Sequence, residues 1–134
     1  MLRHFSLVLL MILTGCASAP PAQVLPLELK GGYKLNDNRS TPVGETAQLA
    51  RQLGLRSARE AQYSGPAIVH VTLYEMTTSA GAFELVQKWK PEPGKLHFSQ
   101  GPYFLLLESQ SPPRQLQAFA SALDSALKQE SPHQ

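Results

Sequence analysis

Cysteine is almost missing from this sequence, which has one cysteine, Cys16, among 134 residues. One cysteine cannot form a disulfide within the chain, and it cannot supply a thiol redox pair or a cysteine-bound metal site. A folded domain built from this chain therefore has to rely on its apolar core for stability.

Charge is also scarce, and the two signs nearly balance. Charged residues make up 16% of the chain, and without Arg3 there are 11 basic against 10 acidic residues. No block of basic residues occurs of the kind that follows a nucleic acid or binds anionic lipid headgroups. Nucleic acid is therefore not an expected partner.

The apolar run near the N-terminus is short. Residues 5–13 follow Arg3 and are mostly apolar, whereas a membrane-spanning helix needs about 20 apolar residues. A basic start, a short apolar segment and small residues after it are the layout of a secretory signal. We therefore expect the chain to be exported.

The end of this segment resembles the lipobox of bacterial lipoproteins, because residues 13–16 read Leu-Thr-Gly-Cys. The resemblance implies cleavage between Gly15 and Cys16, a diacylglyceryl group on the thiol of Cys16, and acylation of the new amino group. Several acyl chains hold a protein on a membrane far better than one chain does. Ala17, rather than aspartate, favours the outer membrane if the cell has one. The alternative is an unmodified Cys16 in an ordinary hydrophobic leader.

Removal of residues 1–15 leaves 119 residues, the length of one domain. Residues 16–24 are small, polar and proline-bearing after the cysteine, which is typical of a flexible tether. We expect one folded domain over residues 25–130, followed by a frayed tail over residues 131–134.

The spacing of apolar residues predicts an α+β fold. Helices are expected at about 44–53, with Thr41 as cap and Pro42 at the first position, from about 79 to 90, and after Pro113. A turn is expected at 36–38, and strands are expected at 32–36, 55–63, 67–76, 95–99 and 103–109. The predicted architecture is a mostly antiparallel sheet of four to five strands, with two to three helices packed mainly on one face.

Histidine is the first candidate for site chemistry. His70 and His97 lie in predicted strands, and Glu75 or Glu108 could complete a metal site if the sheet brought them together. No His-x-x-x-His motif or acidic pair stands at ligand spacing, and no serine lies in a Gly-x-Ser-x-Gly elbow. We therefore predict no metal, no cofactor and no catalytic residues.

The aromatic residues allow two interpretations. Tyr74, Phe83 and Trp89 could line an apolar ligand pocket between the sheet and the helices, or contact a partner protein. Aromatic residues at such periodic positions more often fill a core.

Several short motifs resemble a family of uncharacterised envelope proteins from Acidobacteria. They are Leu-Pro at 25–26, Gly-Gly-Tyr at 31–33, Gln-Leu-Gly-Leu at 52–55 with Tyr63, residues 71–76, and Ser-Ala-Gly-Ala-Phe at 79–83. The resemblance covers most of residues 25–108. It supports an envelope location, implies no activity, and suggests close helix–sheet packing at 81–83.

The sequence therefore predicts a lipid-anchored, non-catalytic envelope protein that binds or scaffolds another envelope protein. Its anchor would be the lipid on Cys16, at the periplasmic face of the outer membrane in a diderm cell. The alternative is a lipoprotein that binds a small or apolar ligand between sheet and helices. The oligomeric state stays open.

Overall fold

A computed structural model of the chain describes residues 24–129. The predicted signal peptide, the cleavage site at Gly15 and Cys16, residues 16–23 of the tether, and the tail at 131–134 lie outside the described residues.

The described residues form an antiparallel sheet with helices on it, which confirms the predicted α+β class. The strands are β1 (Glu28–Leu29), β2 (Tyr33–Thr41), β3 (Leu55–Ser64), β4 (Val69–Met76), β5 (Lys95–Gln100) and β6 (Tyr103–Glu108). Their order in the sheet is β1-β2-β3-β4-β6-β5, and every neighbouring pair is antiparallel. The sheet thus has six strands rather than four to five, because the short β1 adds to its edge.

Three α-helices and one 3-10 helix accompany the sheet in this part of the chain. They are the 3-10 helix Val43–Glu45, α1 (Gln48–Gln52), α2 (Ser79–Lys88) and α3 (Pro113–Gln129). Thr78 caps α2, because its hydroxyl oxygen accepts a hydrogen bond from the N–H of Gly81 at 2.9 Å.

The turn predicted at residues 36–38 is wrong, because these residues lie within β2. The pairing of β2 with β3 shifts by one residue between Leu35 and Asp37, which is a β-bulge. Asparagine and aspartate favour turns, and here the strand accommodates them by bulging instead of reversing direction.

The single helix predicted at 44–53 is also wrong, since a 3-10 turn and the short α1 replace it. Thr46 and Ala47 have extended backbone between the two pieces, with ψ angles of 171° and 133°. Thr41 ends β2 and does not cap a helix. Gly54 follows the end of α1 with a φ of 100°, which glycine adopts without strain.

The helices divide between the two faces of the sheet, which corrects the expectation that they pack mainly on one. Side chains alternate between faces along a strand, and β4 shows the division. Val69, Val71 and Leu73 belong to one buried cluster, whereas Tyr74 and Met76 belong to another. We call these sides the α3 face and the α2 face.

The α3 face carries the larger core. An apolar stripe along α3 packs across the sheet, where it contacts residues of all six strands. Phe119 meets the rings of Tyr33 and Tyr63 edge-on at 4.9 and 5.2 Å. The most deeply buried residues here are Leu25, Tyr63, Val69, Val71, Leu105, Leu107, Phe119 and Leu123.

The α2 face carries a smaller core. Ala82 and Leu85 of α2 and Ala50 of α1 are buried with Phe104 and Met76 of the sheet. Because this cluster involves only one end of the strands, part of the α2 face stays uncovered.

Candidate functional site

The uncovered part of the α2 face begins with a row of polar side chains that crosses the sheet. Strand register places Asp37 opposite Gln62, Gln62 opposite His70, and His70 opposite Glu108. Directly opposite residues in an antiparallel sheet share a face. These four side chains therefore lie in a line across β2, β3, β4 and β6.

A second row lies beside the first, one step nearer to α2. Arg39 pairs with Glu60, and Glu60 pairs with Thr72. A guanidinium nitrogen of Arg39 lies 3.6 Å from a carboxylate oxygen of Glu60 in an exposed ion pair, and such pairs contribute little to stability. We call these two rows the open face.

The open face forms the floor of a cleft of about 760 Å³. One wall is the segment 109–111, which Ser109 shapes by donating to the carbonyl of Ile68 at 3.0 Å and accepting from the N–H of Ser111 at 3.1 Å. The side chain of Ile68 lines the cleft and is 55% exposed. The cleft is thus polar on its floor, with one accessible apolar residue at its rim.

Most side chains of the open face have no internal partner. Asp37, Gln62, His70, Thr72 and Glu108 make no hydrogen bond or ion pair through their side chains with other residues in the range 24–129. Their donors and acceptors are therefore available to water or to a bound molecule.

The charge of the cleft is weakly negative. Three carboxylates line it against one guanidinium, and Arg39 is already paired with Glu60. Lys95 lies across from Glu108 in the sheet, but its ammonium group is held by Glu92 at 2.7 Å. That hydrogen bond raises the pKa of Lys95, and the charge of Glu108 adds to the effect. The cleft therefore suits a polar ligand or a protein surface better than an anion.

The two histidines that could have formed a metal site lie in different surroundings. His70 belongs to the open face, whereas Nε2 of His97 lies 3.2 Å from the carbonyl oxygen of Val86 under α2. Within residues 24–129, no group of three or more histidine, cysteine, aspartate or glutamate side chains is placed to hold a metal ion.

Tyr74 and Trp89 pack against the same aromatic ring in the smaller core, and a contact of either with a ligand or partner stays a prediction. Tyr74 stacks on Phe104 with ring centroids 5.9 Å apart, and Trp89 lies 4.9 Å from the same ring. Tyr74 is only 7% exposed, and its hydroxyl accepts a long hydrogen bond, 3.4 Å, from the N–H of Ala47. Both residues thus contribute to the smaller core.

Phe83 is the accessible member of the three predicted contact residues. It lies on the outer side of α2 and is 57% exposed, away from the residues that line the cleft. A role for Phe83 in partner contact stays a prediction.

The sequence contained one signal for the open face. Polar residues alternate with buried ones at Glu60 and Gln62 in β3 and at His70 and Thr72 in β4. Such alternation indicates a sheet face that is not buried. Only the strand register shows that the polar residues of β3 lie beside those of β4.

No helix of the described part of the chain is long and apolar enough to cross a membrane. Comparisons with models of known protein families, with curated proteins and with solved structures found no match. The resemblance of residues 25–108 to acidobacterial envelope proteins stays a prediction.

Proposed function

We propose that this chain is a lipid-anchored, non-catalytic protein of the cell envelope that binds another envelope protein on the open face. The lipobox at residues 13–16 supports the anchor. Ala17 favours the outer membrane, at its periplasmic face, if the cell is diderm. A lipid on Cys16 would hold the domain at the membrane surface through the tether.

The observation that carries the binding role is the uncovered part of the sheet. Apart from the Arg39–Glu60 ion pair, its polar side chains have no partner within residues 24–129, and its rim offers the exposed Ile68. Interfaces between proteins that associate reversibly are about as polar as the rest of the surface. A mixed polar surface with an accessible apolar residue fits such an interface better than it fits an apolar ligand.

The anchor is tested by growing cells with a fatty acid that carries a chemical handle. We expect the wild-type chain to take up the label and the Cys16→Ala variant to lose it, because the thiol is the acceptor of the diacylglyceryl group. Equal labelling of both chains, or of neither, would contradict a lipid on Cys16.

The binding surface is tested by in-cell crosslinking of the anchored chain. Thr72 is half-buried in the floor of the cleft, so Thr72→Arg should fill the cleft and remove the crosslinked partner. Gln117→Arg places the same side chain on the exposed side of α3 and should leave the partner in place. A partner that survives Thr72→Arg would locate the interface elsewhere.

A second candidate is the binding of a small polar ligand in the same cleft. Its volume of about 760 Å³ lies within the range of about 300–1,000 Å³ that small-molecule sites occupy. A ligand that raises the melting temperature of the wild type but not of Thr72→Arg would favour this function over a protein partner.

A further inference from the structure

The two edges of the sheet differ in how they are protected against pairing with another strand. Beyond the short β1, the edge of β2 runs from Asn36 to Thr41, contains the bulge and is entirely polar. Bulges and polar or charged residues are devices by which proteins block edge-to-edge pairing. The edge at β5 has no register shift, and its central residues Leu96 to Ser99 include no charge and no proline.

Hydrogen bonding fixes which backbone groups of β5 point outward. The carbonyl of Gly94 accepts a hydrogen bond from the N–H of Ser109 at 3.2 Å. Gly94 and Ser109 are therefore a hydrogen-bonded pair of the antiparallel ladder. Bonded and non-bonded pairs alternate along an antiparallel ladder. Every second residue of β5 from Leu96 on therefore bonds to β6. The residues that turn their backbone groups to the free edge are Lys95, His97 and Ser99.

These outward groups are almost all unpaired. The N–H of Lys95 bonds to the carbonyl of Glu92 at 3.2 Å. The remaining outward N–H and C=O groups of Lys95, His97 and Ser99 have no partner among residues 24–129. The edge is therefore a short backbone template that can accept a strand.

We propose that the β5 edge binds the β5 edge of a second copy of this chain, with the two strands antiparallel about a two-fold axis. His97 lies on the axis and faces His97 of the second copy. Lys95 then faces Ser99 of the second copy. A two-fold contact of this kind uses the same surface on both copies and closes after two chains.

The strand is self-complementary in this register. Each outward N–H of His97 and Ser99 meets an outward carbonyl of the other copy. On the α3 face, the half-buried Leu96 comes to lie opposite Phe98 of the second copy, which joins the two cores. Lys95, the one charged residue of β5, is placed at opposite ends of the pair, so like charges do not meet.

Disulfide crosslinking tests the register in the full-length chain. Bonded pairs in an antiparallel ladder have Cα atoms about 5.5 Å apart, within the span of about 4.4–6.8 Å that a disulfide bridges. Lys95→Cys and Ser99→Cys are placed on two differently tagged copies and produced together. We expect a disulfide-linked dimer from the mixture, and little more than the wild-type background from either variant alone.

Asn38→Cys, on the polar edge of β2, is the matched control for random collision. It should give no more dimer than the wild type. The proposal is overturned if the mixed cysteines give no more dimer than Asn38→Cys does. It is also overturned if each single variant crosslinks as well as the mixture.

Co-purification of two tagged copies tests the edge itself. Ser99→Pro removes an outward N–H without removing a bond to β6, a position where an edge strand tolerates proline. We expect loss of co-purification with an unchanged unfolding transition. Ser40→Pro, at the β2 edge, should leave co-purification intact. Wild-type copies that do not co-purify, or Ser99→Pro copies that fold and still do, would refute the β5 contact.

The outcome does not depend on the lipid anchor or on the open face. The loss of label in Cys16→Ala tests the lipid anchor, and the loss of the crosslinked partner in Thr72→Arg tests the open face. The crosslink between positions 95 and 99 concerns only the edge of the sheet.

Discussion

Gly81 lies in the first turn of α2, where its α-carbon faces the end of α1. A β-carbon built at this position would lie 2.8 Å from the carbonyl oxygen of Leu53. In an ordinary helix, replacement of glycine by alanine gains about 1 kcal/mol of helix propensity. The close contact with the carbonyl of Leu53 opposes this gain, so the net change in stability depends on how far that carbonyl can move.

The carbonyl of Leu53 has little room to move. The N–H of Leu53 bonds back to α1, and the next carbonyl, of Gly54, accepts two hydrogen bonds from Thr77, both at 2.8 Å. Overpacking at a constrained site costs about 1–3 kcal/mol. We therefore expect Gly81→Ala to lower the free energy of unfolding by about 1 kcal/mol net, and the melting temperature by about 4–8 °C.

Urea unfolding followed by the fluorescence of Trp89, the one tryptophan in the chain, measures this change. Gly44→Ala is the matched control, because no atom lies within 4 Å of its β-carbon position. The control should be neutral, or stabilising by up to about 1 kcal/mol through the unfolded chain. A Gly81→Ala variant as stable as the Gly44→Ala variant would refute the argument from close contact.

Two further changes test the larger core and the pH response. Phe119→Ala should lower the free energy of unfolding by about 3–5 kcal/mol, because the ring is fully buried between two tyrosines; a loss below about 1 kcal/mol in urea unfolding would contradict this core. Burial, with a smaller contribution from the charge of Glu75, raises the pKa of Tyr103 above its usual 10.0. Folding thus favours the neutral form of the Tyr103 phenol. The contribution of this preference to the free energy of unfolding is complete below pH 10, and it is lost as the pH rises through the raised pKa. The wild type should therefore lose stability relative to Tyr103→Phe only above pH 10, and unfolding curves that stay parallel there would contradict the shift.

Local patterns were sufficient for most of the fold. The alternation of apolar residues predicted β4, and the spacing of apolar residues predicted α2 and α3. These features follow from the periods of strand and helix, which depend only on neighbouring residues.

The sequence-based predictions were wrong where strand pairing between distant residues outweighed the local conformational preference. Residues 36–38 have turn propensity, but pairing with β3 holds them in a bulged strand. The same kind of limit applies to the site, because the alternating polar residues of β3 and β4 gave no register and could not show that His70 lies between Gln62 and Glu108.

By itself, the sequence determined the class of fold, the positions of the main strands and helices, and a prediction of export and lipidation from residues 13–16. The tertiary structure decided which faces the helices cover, which edge of the sheet stays open and which polar side chains share a cleft. These depend on contacts between residues far apart in the chain, and the free energy of burial that fixes such contacts is set by the whole core and not by any local segment.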